Sequence, residues 1–179
     1  FACGESAGGV QGANRLGGNA LADTQVFGKR AGEFAAKAEK RAKKIDPAQI
    51  AKAEERLERF LSGTENPAKV REELQHAMWR GAGIFRDEAG LKTALAVASQ
   101  LMQAPIRAAS ERNLADCCIV ENMLLTASLI CRSALIRPES RGAHMRTDIV
   151  QEWDAAHSPY GHTFIAKNRE GIEKRRVPA

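Results

Sequence analysis

Between Asn19 and Arg137 the apolar residues recur at intervals of three and four, interrupted only where proline, glycine or a helix-capping residue stands. That period lets a helix bury one face; a strand, which alternates every second residue, cannot use it. The first stretch carries Ala20, Leu21, Val26, Phe27, Ala31, Phe34 and Ala35 and is expected to run as a helix from Asn19 to about Lys44. Asp46-Pro47 supplies a cap followed by proline at the first helical position, and Ile50, Leu57, Phe60 and Leu61 form a stripe as far as Ser62-Gly63. Asn66-Pro67 repeats the device ahead of Val70, Leu74, Ala77 and Met78, ending at Gly81 and Gly83. A fourth helix follows Arg86-Asp87-Glu88 with Leu91, Leu95, Ala98, Leu101 and Met102, and Pro105 stops or kinks it. A fifth, from about Ser110 to Arg137, carries Leu114, Cys118, Leu125 and Leu129. Helices joined by turns this short pack most simply as an antiparallel bundle, so the fold class is all-α, with very little sheet.

The two flanks differ from the middle. Residues 1 to 20 hold six of the fifteen glycines, at positions 4, 8, 9, 12, 17 and 18, without any helical or strand period, which reads as a loop allowing close backbone approach. After Pro138 the apolar period disappears, leaving an Arg-, His-, Gly- and Pro-rich stretch with scattered Trp153, Tyr160 and Phe164. Such a tail is expected to be irregular and to lie on another surface. The chain opens on Phe-Ala-Cys-Gly-Glu without a leader-like segment, as though it began in mid-protein.

Composition narrows the function classes. The net charge of +5 comes from 27 Lys and Arg against 22 Asp and Glu, and much of the excess sits in Lys29 to Lys44 and Glu173 to Arg176. Glu33 and Glu39 interleave with the first group, as on a solvated helix face, and neither aromatic stacking residues nor a nucleic-acid motif accompanies it. No uninterrupted apolar run approaches the ~20 residues of a membrane span. Cys3, Cys117, Cys118 and Cys131 form no CxxC pair and have no histidine at zinc-site spacing, so they read as small hydrophobes in a reducing compartment. His157 and His162 lack further ligands, and no metal site is expected.

Two segments are dense in recognition chemistry. In Gly12-Ala13-Asn14-Arg15-Leu16-Gly17-Gly18-Asn19-Ala20-Leu21, glycines lead into a helix whose first N–H groups and positive dipole end suit an anion or polar ring. Arg15 in its midst suits two-pronged capture of a carboxylate or phosphate, while plain turn chemistry is the competing reading. Arg137 to Asp148, with Glu139, Ser140, Arg141, His144 and Arg146, reads first as a salt-bridged structural loop. His144 could serve as an acid or base, but no nucleophile with a matching partner accompanies it.

Together these segments resemble the flavoprotein subunit of the succinate dehydrogenase and fumarate reductase family, whose relatives include L-aspartate oxidase. The likeness rests on Phe1-Ala2-Cys3-Gly4-Glu5, then Gly12 to Leu21, then Val26-Phe27-Gly28, then helices with Arg71 to Met78, then Glu139 to His144 with a following Arg and Asp, in that order. Asn14 to Gly18 is nearer to the dehydrogenase and reductase branch than to L-aspartate oxidase; Gln11 and Ala20 depart from residues common in the family. The resemblance implies a C-terminal part of an FAD-dependent oxidoreductase that interconverts fumarate and succinate, inactive alone and with no catalytic residue of its own. Glu5 would hold the FAD ribose, the backbone at Ala20 and Leu21 would approach the flavin, and Arg15 would bind a substrate carboxylate. Asn14 and Asn19 would be structural or support these contacts, and so would Arg141, His144 and Arg146, in a Glu139 to Asp148 loop that packs the helical domain against the flavin domain. Residues 1–44 would be the remnant of an FAD-binding domain, 45–137 the helical bundle and 138–179 an extended tail on the bundle or the flavin domain.

The phosphate loop, the substrate-binding histidine and the proton-delivering arginine lie before residue 1 in full-length relatives, so FAD is expected in the whole protein and not on this chain. The partners implied are the rest of the subunit, an iron–sulfur subunit and a dicarboxylate; the location is cytoplasmic, with membrane association through partner subunits and no span in this chain. Apolar surface left by the missing part suggests self-association. The alternatives are a stand-alone helical module docking an iron–sulfur partner, or part of L-aspartate oxidase.

Overall fold

The computed structural model describes the chain apart from residues 8–9, 13, 39–45, 150–159, 167–168 and 175–179. Two compact units are present, Phe1–Ile45 and Asp46–Ala179. In the first, a short 3-10 turn at Gly4–Ser6 precedes helix α1, Asn19–Lys37. The helix stops short of the expected Lys44, because Ala38 is already extended at φ −68° and ψ 136°; no breaker in the sequence marks that stop. Lys29 and Glu33 pair at 3.9 Å on its exposed surface, as the interleaved charges suggested.

The second unit is built on α2 (Pro47–Arg59), α3 (Pro67–Gly81), α4 (Glu88–Leu101) and α5 (Glu111–Ile136). Each begins where a side chain replaces a missing intrahelical acceptor. Asp46 accepts from the Ala48 N–H at 3.0 Å, Asn66 from Ala68 at 2.9 Å, Asp87 from Gly90 at 2.6 Å and Ser110 from Asn113 at 3.2 Å. Pro47 and Pro67 occupy first-turn positions, where no N–H is needed.

Helices α3, α4 and α5 pack on one another around Val70, Leu74, Leu91, Ala94, Ala98, Leu101, Cys117, Val120, Leu124 and Cys131, all buried. The face of α5 that turns inward differs from the expected one. Cys117, Val120, Leu124, Ala127, Cys131 and Ala134 are buried, whereas Leu125 and Leu129 are exposed. Apolar residues lie on several sides of the helix, so period alone cannot choose its face; the buried face is the one with small residues, which let neighbouring helices approach. Close approach is explicit at Gly81, where a Cβ would stand 2.2 Å from the carbonyl oxygen of Gly90. By length and composition α5 could cross a membrane, a property that a reading of uninterrupted apolar runs overlooks. Its inward face is covered by α3 and α4, as in the core helix of a bundle.

The expected stripe of α2 is also mostly uncovered. Ile50, Leu57 and Leu61 are exposed, and only Phe60, just past the helix, joins the core. What ties α2 to α5 is polar: Arg56 donates to Glu121 at 2.5 Å and Arg59 donates to the same carboxylate at 3.0 Å.

Short strands among the described residues complete the unit. β1 (Phe85–Arg86) pairs in parallel with β2 (Met145–Arg146), setting Phe85 opposite Met145 and Arg86 opposite Arg146. β3 (Tyr160–Ala166) and β4 (Arg169–Lys174) form an antiparallel hairpin with an irregularity between Tyr160 and Thr163, and β3 contacts α5. The tail therefore departs from the irregular stretch expected. Gly161 to Thr163 and the charged β4 hide the alternation that would have announced a strand.

Candidate functional site

In the first unit, the glycine-rich segment has left-handed backbone at Gly4 (φ +62°), Gly12 (+64°) and Gly18 (+83°). Gly18 is the N-cap of α1 and brings no side chain to the N–H groups of the first turn, of which that of Asn19 donates to the Leu16 carbonyl at 3.3 Å. No acidic residue stands in that turn either, so the turn itself does not offset its positive dipole end. Ala20 is half-buried, and Asn14, Arg15, Asn19 and Leu21 are exposed. Arg15 donates from Nη1 to the carbonyl of its neighbour Leu16 at 3.2 Å and has no carboxylate partner among the described residues. Glu5 lies in the 3-10 turn, although its side chain falls outside what the structure describes. The local chemistry is thus a cation, free backbone donors and glycine backbone that a flat ligand can approach closely. It fits one side of a site for an anion or a polar ring.

In the second unit, the loop after α5 forms a denser arrangement. Arg146, only 6% exposed, grips Asp148 with two bonds of 2.8 Å, from Nε to Oδ1 and from Nη2 to Oδ2. Its remaining arm donates to the carbonyls of Ala134 at 3.2 Å and Arg137 at 3.3 Å, at the C-terminal end of α5. Asp148 in turn accepts from the backbone N–H of Glu88 at 2.8 Å, at the N-terminus of α4. A cation therefore meets the negative end of one helix and an anion the positive end of the next. The Arg146 guanidinium holds the Asp148 carboxyl well below its ordinary range, and Asp148 raises Arg146 in return.

Glu139, 2% exposed, is the second buried charge. It accepts from Arg137 Nη1 and lies 3.6 Å from Arg141 Nη1. Arg137 also donates from Nε to the Thr163 hydroxyl at 3.0 Å and from Nη2 to the Gly161 carbonyl, while Arg141 reaches the Tyr160 carbonyl at 2.8 Å. These bonds seat β3 on the loop. Ser140 Oγ accepts from the Arg146 N–H at 2.8 Å, closing the loop on itself.

His144 lies between Arg86 and the end of α5. Its Nδ1 is 3.2 Å from Arg86 Nη1, and its buried Nε2 has no hydrogen-bond partner among the described residues. Burial pushes the imidazole below its ordinary pKa; the Arg137 carbonyl offsets this in part, and Arg86, Arg146 and Arg137 add to it. Held neutral in this way, the ring is a packing and hydrogen-bonding element.

Of the residues singled out in the sequence, Asn14, Arg15, Asn19, Ala20 and Leu21 share the lead-in to α1, and Arg141, His144 and Arg146 share the loop after α5. Arg86, Glu139 and Asp148 are equally part of the second arrangement. Glu139 and Asp148 belong to the Arg137 to Asp148 segment already marked in the sequence as a salt-bridged loop; Arg86, marked there only as a helix start, is brought in from 58 residues away. His157 and the side chain of His162 lie outside the described residues.

Comparison with known proteins adds an independent finding. Residues 71–177 match the family model described as fumarate reductase flavoprotein C-term. The chain is 46% identical over 164 residues to one of the subunits of the CoM/CoB fumarate reductase from Methanothermobacter marburgensis, covering 86% of this chain and 30% of that protein. It is 32% identical to the fumarate reductase flavoprotein subunit of Haemophilus influenzae, covering 97% of this chain and 31% of that one. Among solved structures it is similar to the Mycobacterium smegmatis Sdh1 complex, with a TM-score of 0.86 at 32% identity, covering 100% of this chain and 33% of the other. It is also similar to the quinol fumarate reductase of E. coli, with a TM-score of 0.76 at 33% identity, covering 99% and 34%. The chain spans about a third of the length of the relatives it matches.

Proposed function

The chain belongs to the fumarate reductase and succinate dehydrogenase flavoprotein family, and from that premise we propose that it is the helical C-terminal part of an FAD-dependent oxidoreductase that interconverts fumarate and succinate. The observation that supports this reading is the state of Arg15, an exposed guanidinium set among glycines ahead of α1 and, among the described residues, bonded only to a neighbouring carbonyl. Its remaining donors match a carboxylate in number and plane, and a dicarboxylate held at one end has its carbon chain fixed in direction. Asn14 and Asn19 share its segment, and the glycine backbone leaves room for a ring at Ala20 and Leu21. Glu5 is the residue we assign to a ribose hydroxyl. FAD would supply the hydride-transfer chemistry.

On this reading the site is completed by other parts of the subunit, and the chain alone turns over no substrate. The uncovered residues Ile84, Phe85 and Met145 give the remaining subunit, or a second copy, an apolar surface to cover. The iron–sulfur partner, and membrane attachment through further subunits, belong to the same proposal.

The test is Arg15→Lys in the complete subunit, measured as fumarate reduction and succinate oxidation. Lysine keeps the charge and loses the two-pronged geometry, so the expected result is a KM raised by ~10-fold or more with flavin content unchanged. An unchanged KM for both dicarboxylates would remove Arg15 from the substrate site.

A further inference from the structure

Arg86 is the cation of the loop cluster that makes no ion pair among the described residues. Arg146 faces Asp148, and Arg137 and Arg141 share Glu139, but no carboxylate lies within ion-pairing distance of Arg86 among the described residues. Its Nε donates to the Gly83 carbonyl at 2.8 Å and its Nη1 to His144, while Nη2 makes no hydrogen bond among those residues. Guanidinium groups only donate, so the His144 Nδ1 must accept, which places the ring proton on Nε2 and leaves the ring neutral. Asp87 and Glu88 act on the cluster electrostatically through Arg146, but among the described residues neither pairs with Arg86. A half-buried guanidinium without an ion-pair partner among the described residues favours an anion beside it.

Beside Arg86 lies an open cleft of about 350 Å³ between α5 and the loop. His144 and the hydroxyl-bearing Ser133 and Thr163 line it together with the apolar Leu129 and Ile130. Thr163 Oγ1 already accepts from Arg137 Nε, so its hydroxyl proton remains available to an acceptor in the cleft. A guanidinium without an ion-pair partner among the described residues, nearby hydroxyl donors and an apolar wall are complementary to a carboxylate on a short hydrocarbon stem.

We propose that this cleft is a carboxylate-binding site, in which the Arg86 guanidinium holds the anion and Leu129 and Ile130 receive its stem. The site lies wholly within the Asp46–Ala179 unit and is independent of the role assigned to Arg15. Two sources carry this chemistry, a small organic acid and an acidic side chain from another part of the complete subunit.

Propionate is the probe, titrated into this chain against chloride at matched ionic strength, with the His144 ring resonances and the melting temperature as readouts. A saturable shift of the His144 ring signals with millimolar propionate, not reproduced by chloride, is the expected result. Arg86→Gln should abolish the saturation, and Arg86→Lys should weaken it by ~10-fold, each with wild-type helical circular dichroism. Repeating the titration on the complete subunit separates the sources: saturation retained there means a small organic acid, and saturation lost there means an acidic side chain already in place. A linear, unsaturated response of the wild-type chain up to roughly 100 mM propionate overturns the proposal whether or not the variants fold.

Discussion

Arg146 and Asp148 face each other through two bonds of 2.8 Å, and between them they bind the C-terminal carbonyls of α5 and the N-terminal backbone of α4. The pair is less a surface salt bridge than a clamp between two helix ends, because Arg146 is buried and three of its nitrogens are engaged. Arg146→Met would leave the Asp148 carboxylate with the Glu88 N–H as its donor among the described residues and would remove the guanidinium from the Ala134 and Arg137 carbonyls. The expected cost is roughly 2–4 kcal/mol of unfolding free energy, read as a fall in urea midpoint. Arg146→Lys should recover only part of it, since one ammonium cannot serve both the carboxylate and the two carbonyls.

His144 makes stability depend on pH in a defined direction. Its folded pKa lies below its ordinary value of about 6.5, so between the two values the unfolded chain holds a proton that the folded chain does not. The stabilisation is fully present above about pH 6.5 and is lost as the pH falls below it toward the folded value. Equilibrium unfolding at a series of pH values should show stability rising with pH over that window, and His144→Gln should flatten the rise. A wild-type profile flat from pH 5 to 7 would mean that the ring is not held neutral. Asp148 acts at lower pH: its stabilisation is present above the ordinary carboxylate range and is lost as pH falls through its depressed folded pKa.

Gly81 is a contact that excludes any side chain. Since a Cβ there would meet the Gly90 carbonyl at 2.2 Å, Gly81→Ala must push α3 and α4 apart, although alanine is otherwise the better helix residue. A loss of about 1–3 kcal/mol by thermal or urea unfolding is expected. Stabilisation by Gly81→Ala would show that the two helices do not cross this closely.

The four cysteines should divide by burial. Cys117 and Cys131 are buried, and burial raises both thiols, whereas Cys3 and Cys118 are partly accessible. A thiol reagent applied to the native chain should label Cys3 and Cys118 first and reach Cys117 and Cys131 only on unfolding. Rapid native labelling of Cys131 would contradict the packing of α5 against Met78, whose sulfur lies 3.7 Å from it.

The helices were legible because their starts are written in side chains. Asp46-Pro47, Asn66-Pro67, Asp87 and Ser110 all cap as their chemistry requires. What could not be read were features set by tertiary contact. The inward face of α5 was not marked because the helix is apolar on several sides, and the stripe of α2 remains largely uncovered. The hairpin of β3 and β4 was hidden by Gly161 and a strand rich in charge. At the loop cluster, Arg141, His144 and Arg146 stood out by local density, but Arg86 reaches His144 across 58 residues, and no local pattern announces such a pairing. The run from Gly12 to Leu21 was the reverse case, with its glycines, its arginine and its helix start all local.

The central claim is that this chain carries one side of a flavin and dicarboxylate site and needs the rest of the subunit to complete it. Titration of the purified chain with FAD, followed by visible absorbance, tests it most directly. The expected result is no stoichiometric binding and an unperturbed flavin spectrum, with binding recovered in the complete subunit. Tight one-to-one binding by this chain alone would contradict the claim and make its glycine-rich segment a self-sufficient flavin site.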